Sequence, residues 1–124
     1  MVEFAIVAGL VITPVLLGIL AFGVASWEKN SATSDAREGA RYAIVHGATS
    51  SNVADSAAVA DFVKARTSLE TTGSNAIRVH PHWPGGKNPG AVVEVSVAHP
   101  VPRRDPFFIP AHVDSSTSKM VILF

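Results

Sequence analysis

Five histidines and ten acidic side chains are where acid–base or metal chemistry would have to start in this chain, because it contains no cysteine. Without thiols there is no disulfide framework, no thiolate metal site and no cysteine nucleophile. His80 and His82 stand two apart, a spacing that puts both on one face of a regular strand and could begin a metal site. Pro81 between them is expected to spoil that strand, and no carboxylate or third histidine follows at a ligand spacing, so the pair reads as exposed strand-end histidines. His46 is expected near the C-terminal end of a long helix, where its ring can serve the last carbonyls. His99 and His112 flank a proline-rich stretch and carry no further signal. No nucleophile elbow, phosphate-cradling glycine loop or zinc-protease motif occurs. Arg103-Arg104 could touch phosphate, but Asp105 follows directly and no aromatic residues interleave with a basic face, so a solvated loop is the reading. No catalytic constellation, cofactor or metal is expected, and ten basic against ten acidic residues give no reason to expect a nucleic-acid partner.

The elements that would position any working residue divide sharply. Phe4 to Trp27 carries no charge, and every charged residue except Glu3 falls in residues 28–124. As a helix those 24 residues would be roughly 36 Å long, enough to cross a hydrocarbon core of about 30 Å. A secretory signal would show a basic start and a shorter apolar run, so residues 1–27 read as a retained apolar anchor or core helix and residues 28–124 as a small α+β domain. Lys29, Arg37 and Arg41 follow the span and would by themselves keep the domain on the cytoplasmic side; that inference reverses if a basic leader has been removed. Glu3 places a carboxylate at the edge of the oil. Pro14 removes a helical N–H and frees the carbonyl of Leu10, with Gly18 loosening the next turn, so a local stretch or kink is expected between Leu10 and Gly18 when helices pack. Ala5 with Gly9, and Ala21 with Ala25, recur at the four-residue spacing that lets helix backbones approach.

Beyond Trp27, Ala32, Ala36, Ala40 and Ala43 step along one face while Asp35, Arg37, Glu38 and Arg41 look elsewhere, so the helix continues to a stop near Gly47. A second helix is expected from Asn52 as N-cap to about Leu69, burying Val59, Phe62, Val63 and Leu69. Ile77 and Val79, then Val93, Val95 and Val97, alternate with polar residues and predict an antiparallel pair. Four prolines in residues 100–112 predict an extended surface connection. The chain ends on a strand with Met120, Ile122 and Phe124 toward the core, and with Val121 and Leu123 to be covered by another element or another chain.

Val2-Glu3-Phe4-Ala5, an apolar run containing Pro14, then Gly18-Ile19-Leu20-Ala21-Phe22-Gly23 and finally Ala36-Arg37-Glu38-Gly39-Ala40-Arg41-Tyr42-Ala43 occur in that order. Over about the first 47 residues this resembles the TadE-like pilins of tight-adherence systems, with the remainder similar in layout only. The resemblance implies a prepilin whose short leader is cut by a prepilin peptidase, with the product held on the outer side of the inner membrane and assembled by pilus machinery. It also implies that the acid near the new N-terminus neutralises the terminal amine of an adjacent subunit, and Glu3 is the residue that matches. Here the acid stands third, nearer the end than the family's pattern has it, which leaves the register of the amine contact open.

A homopolymeric filament subunit on the cell surface is therefore the leading expectation, with Met1, Glu3, Phe4, Pro14, Gly18, Val121 and Leu123 as its assembly residues. A minor pseudopilin or assembly factor that stays in the membrane, and an anchored adhesin using residues 100–112, stand beside it. On a helix Met1 and Glu3 point to different faces, so the amine facing Glu3 is expected to come from the Met1 of a neighbour.

Overall fold

The computed structural model describes residues 2–102 and 110–123. α1 runs unbroken from Val2 to Val45, α2 spans Ser56–Lys64, and three strands follow: β1 (Arg78–His82), β2 (Val92–Val101) and β3 (His112–Val121). The strands form one antiparallel sheet in the order β1-β2-β3. The fold is α+β, as the sequence patterns predict.

The domain is assembled on the small-residue face of α1. Ala32, Ala36, Gly39, Ala40 and Ala43 are buried and meet Val59 and Val63 of α2 and the inward valines Val93, Val95 and Val97 of β2. A β-carbon built on Gly39 would lie 2.9 Å from Val63 Cγ2 and 3.1 Å from Val95 Cγ1. Only glycine leaves room there for helix and valines to touch. Each fully buried valine or isoleucine contributes about 1.5–3 kcal/mol relative to exposure, and Val59, Val93, Val95, Val97 and Ile122 all lie in this layer.

Several boundaries differ from the sequence reading. α2 is shorter than Asn52–Leu69, because Asp55 and not Asn52 caps it: its carboxylate accepts from Ala58 N–H at 2.7 Å. Ala54 N–H instead donates to His46 carbonyl at 2.9 Å, which ties residues just before the cap to the end of α1. Leu69 lies beyond α2 yet is buried against Ile77 and Val97. Pro81 does not break β1; it pairs with Val95 on an edge strand, where a missing N–H can face the open side. Pro100, expected in a surface connection, lies inside β2 opposite Val113. β1 begins at Arg78 opposite Ala98 and runs back toward Glu94, so β2 has only one partner strand at Pro100. β3 begins at His112, well before the terminal apolar run, because it pairs with the full length of β2; Asp114 to Ser118 are polar on both faces, so the sequence shows no alternation there.

Asp35 on α1 accepts a hydrogen bond from the Thr67 hydroxyl, whose oxygen accepts in turn from Leu69 N–H at 3.0 Å. Burial raises the Asp35 carboxyl above its ordinary value of 3.8; the Thr67 bond opposes this and Glu38 adds to it. Between the ordinary and raised values the folded chain binds more protons than the unfolded one, so this group's contribution to stability falls as pH rises through that window. Asp35→Asn keeps an oxygen for Thr67 and removes the penalty. Thermal melting at pH 7 should show a higher midpoint for Asp35→Asn than for wild type, with the gap closing as pH is lowered toward 3.8. A gap that widens on acidification would contradict this account.

Candidate functional site

The apolar stretch of α1 covers itself with nothing. Phe4 is 80 % exposed, and Ile6, Leu10, Val15, Leu16, Ile19 and Phe22 are all exposed. α1 is long and apolar enough to cross a membrane, with none of its apolar window buried. The helix runs unbroken through Pro14, and apart from its own adjacent turns nothing among the described residues lies within 4 Å of a β-carbon built on Gly9, Gly18 or Gly23. Glu3 is exposed in the first turn, and Met1 lies outside the described residues. Counting along the helix, Glu3 stands about 38 Å from Glu28, the first buried residue of α1.

Val121 and Leu123, expected to need a cover, are 52 % and 61 % exposed. Val121 faces Val92 across the ladder, and Val92 is exposed as well. Ile122 between them is buried: its N–H donates to Ala91 carbonyl at 2.8 Å, and its own carbonyl accepts from Gly90 N–H at 2.9 Å. Among the described residues nothing shelters this outer-face patch. Phe124, expected to point inward, lies outside the described residues, as do Arg103, Arg104 and Asp105. Val92 was missed because its partner strand lies far away in sequence.

The histidines do not converge. His80 and His82 are exposed and face Ser96 and Glu94 across the ladder, but Glu94 is engaged by Lys119 at 3.2 Å. Among the described residues no three His, Asp or Glu side chains are grouped to hold a metal. His46 Nδ1 lies 2.9 Å from the Tyr42 carbonyl, which can only accept, so that nitrogen donates. Its ring stacks on Tyr42 at 4.2 Å, Tyr42 stacks on Phe62 at 4.3 Å, and Arg66 lies 4.3 Å over the Phe62 ring. This ladder of planar groups clamps α2 to α1 beside an open cleft of about 330 Å³ that Glu38 and Arg41 also line. Tyr42 and His46 lie sixteen or more residues from Phe62 and Arg66, which is why spacing alone did not reveal it.

An exposed apolar half-helix, an acid in its first turn and a glycine–alanine face seating the domain together fall within one segment of the chain. Residues 1–41 match the family of TadE-like proteins. The match ends inside the buried Ala36–Ala43 face, and the structure supplies a reason for the small residues there: Gly39 and Ala40 set the distance between α1 and the sheet. The TadE-like family is pilus-associated and is not a known enzyme family. No curated protein and no solved structure matches the chain.

Proposed function

We propose that this TadE-like chain is a structural subunit of a type IV pilus-like, tight-adherence filament. The apolar half of α1 holds it in the inner membrane after a prepilin peptidase has acted, and the pilus machinery then packs copies of it into an extracellular homopolymer. The observation that carries this reading is the continuous α1, whose apolar half is wholly uncovered while its other half is built into a folded domain. Copies of the same helix offer the cover that the isolated chain lacks. Purified surface filaments should contain a repeating subunit of about 13.0 kDa. Filaments lacking this chain would instead make it a minor pseudopilin or assembly factor that stays in the membrane. If the chain were an anchored adhesin, deleting the segment between β2 and β3, residues 102–111, would abolish attachment and spare filaments.

Packing should also cover the terminal strand. A cysteine placed at Val121 in this cysteine-free chain should react several-fold more slowly with a water-soluble maleimide in filaments than in free subunits, while one at the exposed Ser51 should react equally in both. Equal rates at Val121 would remove that residue and Leu123 from the assembly surface.

A further inference from the structure

α1 enters the domain without a linker. Trp27 closes the apolar run, and Glu28, the next residue, is already only 2 % exposed. Its surroundings include Ser68, Leu69 and Glu70 after α2 and His99 and Pro102 at the end of β2, which with Trp27 and Glu28 line a cavity of about 150 Å³. The Ser68 hydroxyl lies 3.4 Å from the Ser31 hydroxyl, which fixes its height along α1. Ser31 is one helical turn beyond Trp27, about 6 Å along the axis. The headgroup layer on each side of a bilayer is itself about 5–7 Å thick, and tryptophan settles at its boundary with the hydrocarbon.

We propose that the domain sits directly on the bilayer that holds its anchor, with Ser68 to Glu70 and the His99–Pro102 end of β2 in the phospholipid headgroup layer. The proposal rests on reading Phe4–Trp27 as a membrane span. The polarity of this underside fits headgroups and not acyl chains: Ser68 and Glu70 are exposed while Leu69 between them is turned inward and buried. His99, also buried, has a ring Nδ1 with no hydrogen-bond partner among the described residues. The unbroken helix makes the seating rigid, since no flexible residue between anchor and domain lets the domain lift. The far end of the domain lies well clear, because Val45 is about 27 Å beyond Trp27 along the same axis.

The absence of cysteine allows single reporters in the full chain. Ser68→Cys, Glu70→Cys, Ser51→Cys and Leu16→Cys, each carrying a small fluorophore, would be reconstituted in phosphatidylcholine vesicles doped with lipid bearing a nitroxide on the headgroup or on the acyl chain. Leu16→Cys should be quenched by the acyl-chain nitroxide. Ser68→Cys and Glu70→Cys should be quenched by the headgroup nitroxide several-fold more than Ser51→Cys; two underside positions guard against local misfolding at either one. Quenching at Leu16 with Ser68 and Glu70 no more quenched than Ser51 would overturn the seating and leave the span intact. No acyl-chain quenching at Leu16 would overturn both.

Discussion

Gly39→Leu should destabilise the domain by about 3 kcal/mol, the upper part of the range for overpacking a filled core. The first added carbon already meets Val63 Cγ2 at 2.9 Å and Val95 Cγ1 at 3.1 Å, and neither branched side chain has a flexible end to move aside. Three further carbons would have to drive α1 away from both α2 and β2, separating Ala36 and Ala40 from the valines they cover. For a domain of this size the loss corresponds to roughly 10–20 °C in melting temperature, read by circular dichroism of the chain in detergent. Gly39→Ala should fall far less, because the gain in helix propensity, about 1 kcal/mol, offsets part of the clash. Gly9→Ala, where nothing lies within 4 Å, should leave the domain's midpoint unchanged. A Gly39→Leu chain that melts with wild type would mean that α1 does not approach the sheet as closely as described.

Glu3→Ala should reduce filament yield at least tenfold while leaving the domain's melting temperature unchanged. In a bundle of apolar helices with no water, a carboxylate and an amine each cost several kcal/mol unless they meet, and removing one partner of a buried pair costs about 3–5 kcal/mol. No cationic side chain precedes Lys29, so the partner proposed for Glu3 is the N-terminal amine of a neighbouring subunit. The domain should be indifferent, since Glu3 is exposed and about 38 Å along α1 from Glu28, the first residue the domain buries. Glu3→Gln should assemble as poorly as Glu3→Ala, because an amide keeps the shape and loses the charge. Assembly of Glu3→Ala at wild-type yield would reduce Glu3 to a residue at headgroup level.

What the chain's sequence determines by itself is whatever depends on local periodicity. Twenty-four uncharged residues from Phe4 to Trp27 read as an apolar helix long enough to span a membrane, and the alanine spacing from Ala32 to Ala43 carries that helix into the domain because 3.6-residue periodicity is a one-dimensional signal. The valine alternation in β2 and the Glu-Phe start with its Ala-Arg-Glu-Gly-Ala-Arg stretch were equally legible, and the latter pointed to the TadE-like family whose match covers residues 1–41. Tertiary structure alone decided matters that rest on pairing between distant residues. Asn52 and Asp55 are both good caps, and the choice went to Asp55 because Ala54 is held by His46. Ser115 to Ser118 became a strand because β2 offered a ladder, since serine and threonine show no face of their own. Pro81 and Pro100 were admitted to strands because each has an open edge beside it. Trp27 ends the oil in the sequence, but only the packing of Ser68, Leu69, Glu70, His99 and Pro102 around Glu28 puts the domain's floor at that height. Such contacts are set by the shape of the whole core, in which Gly39 fixes how near the helix can come.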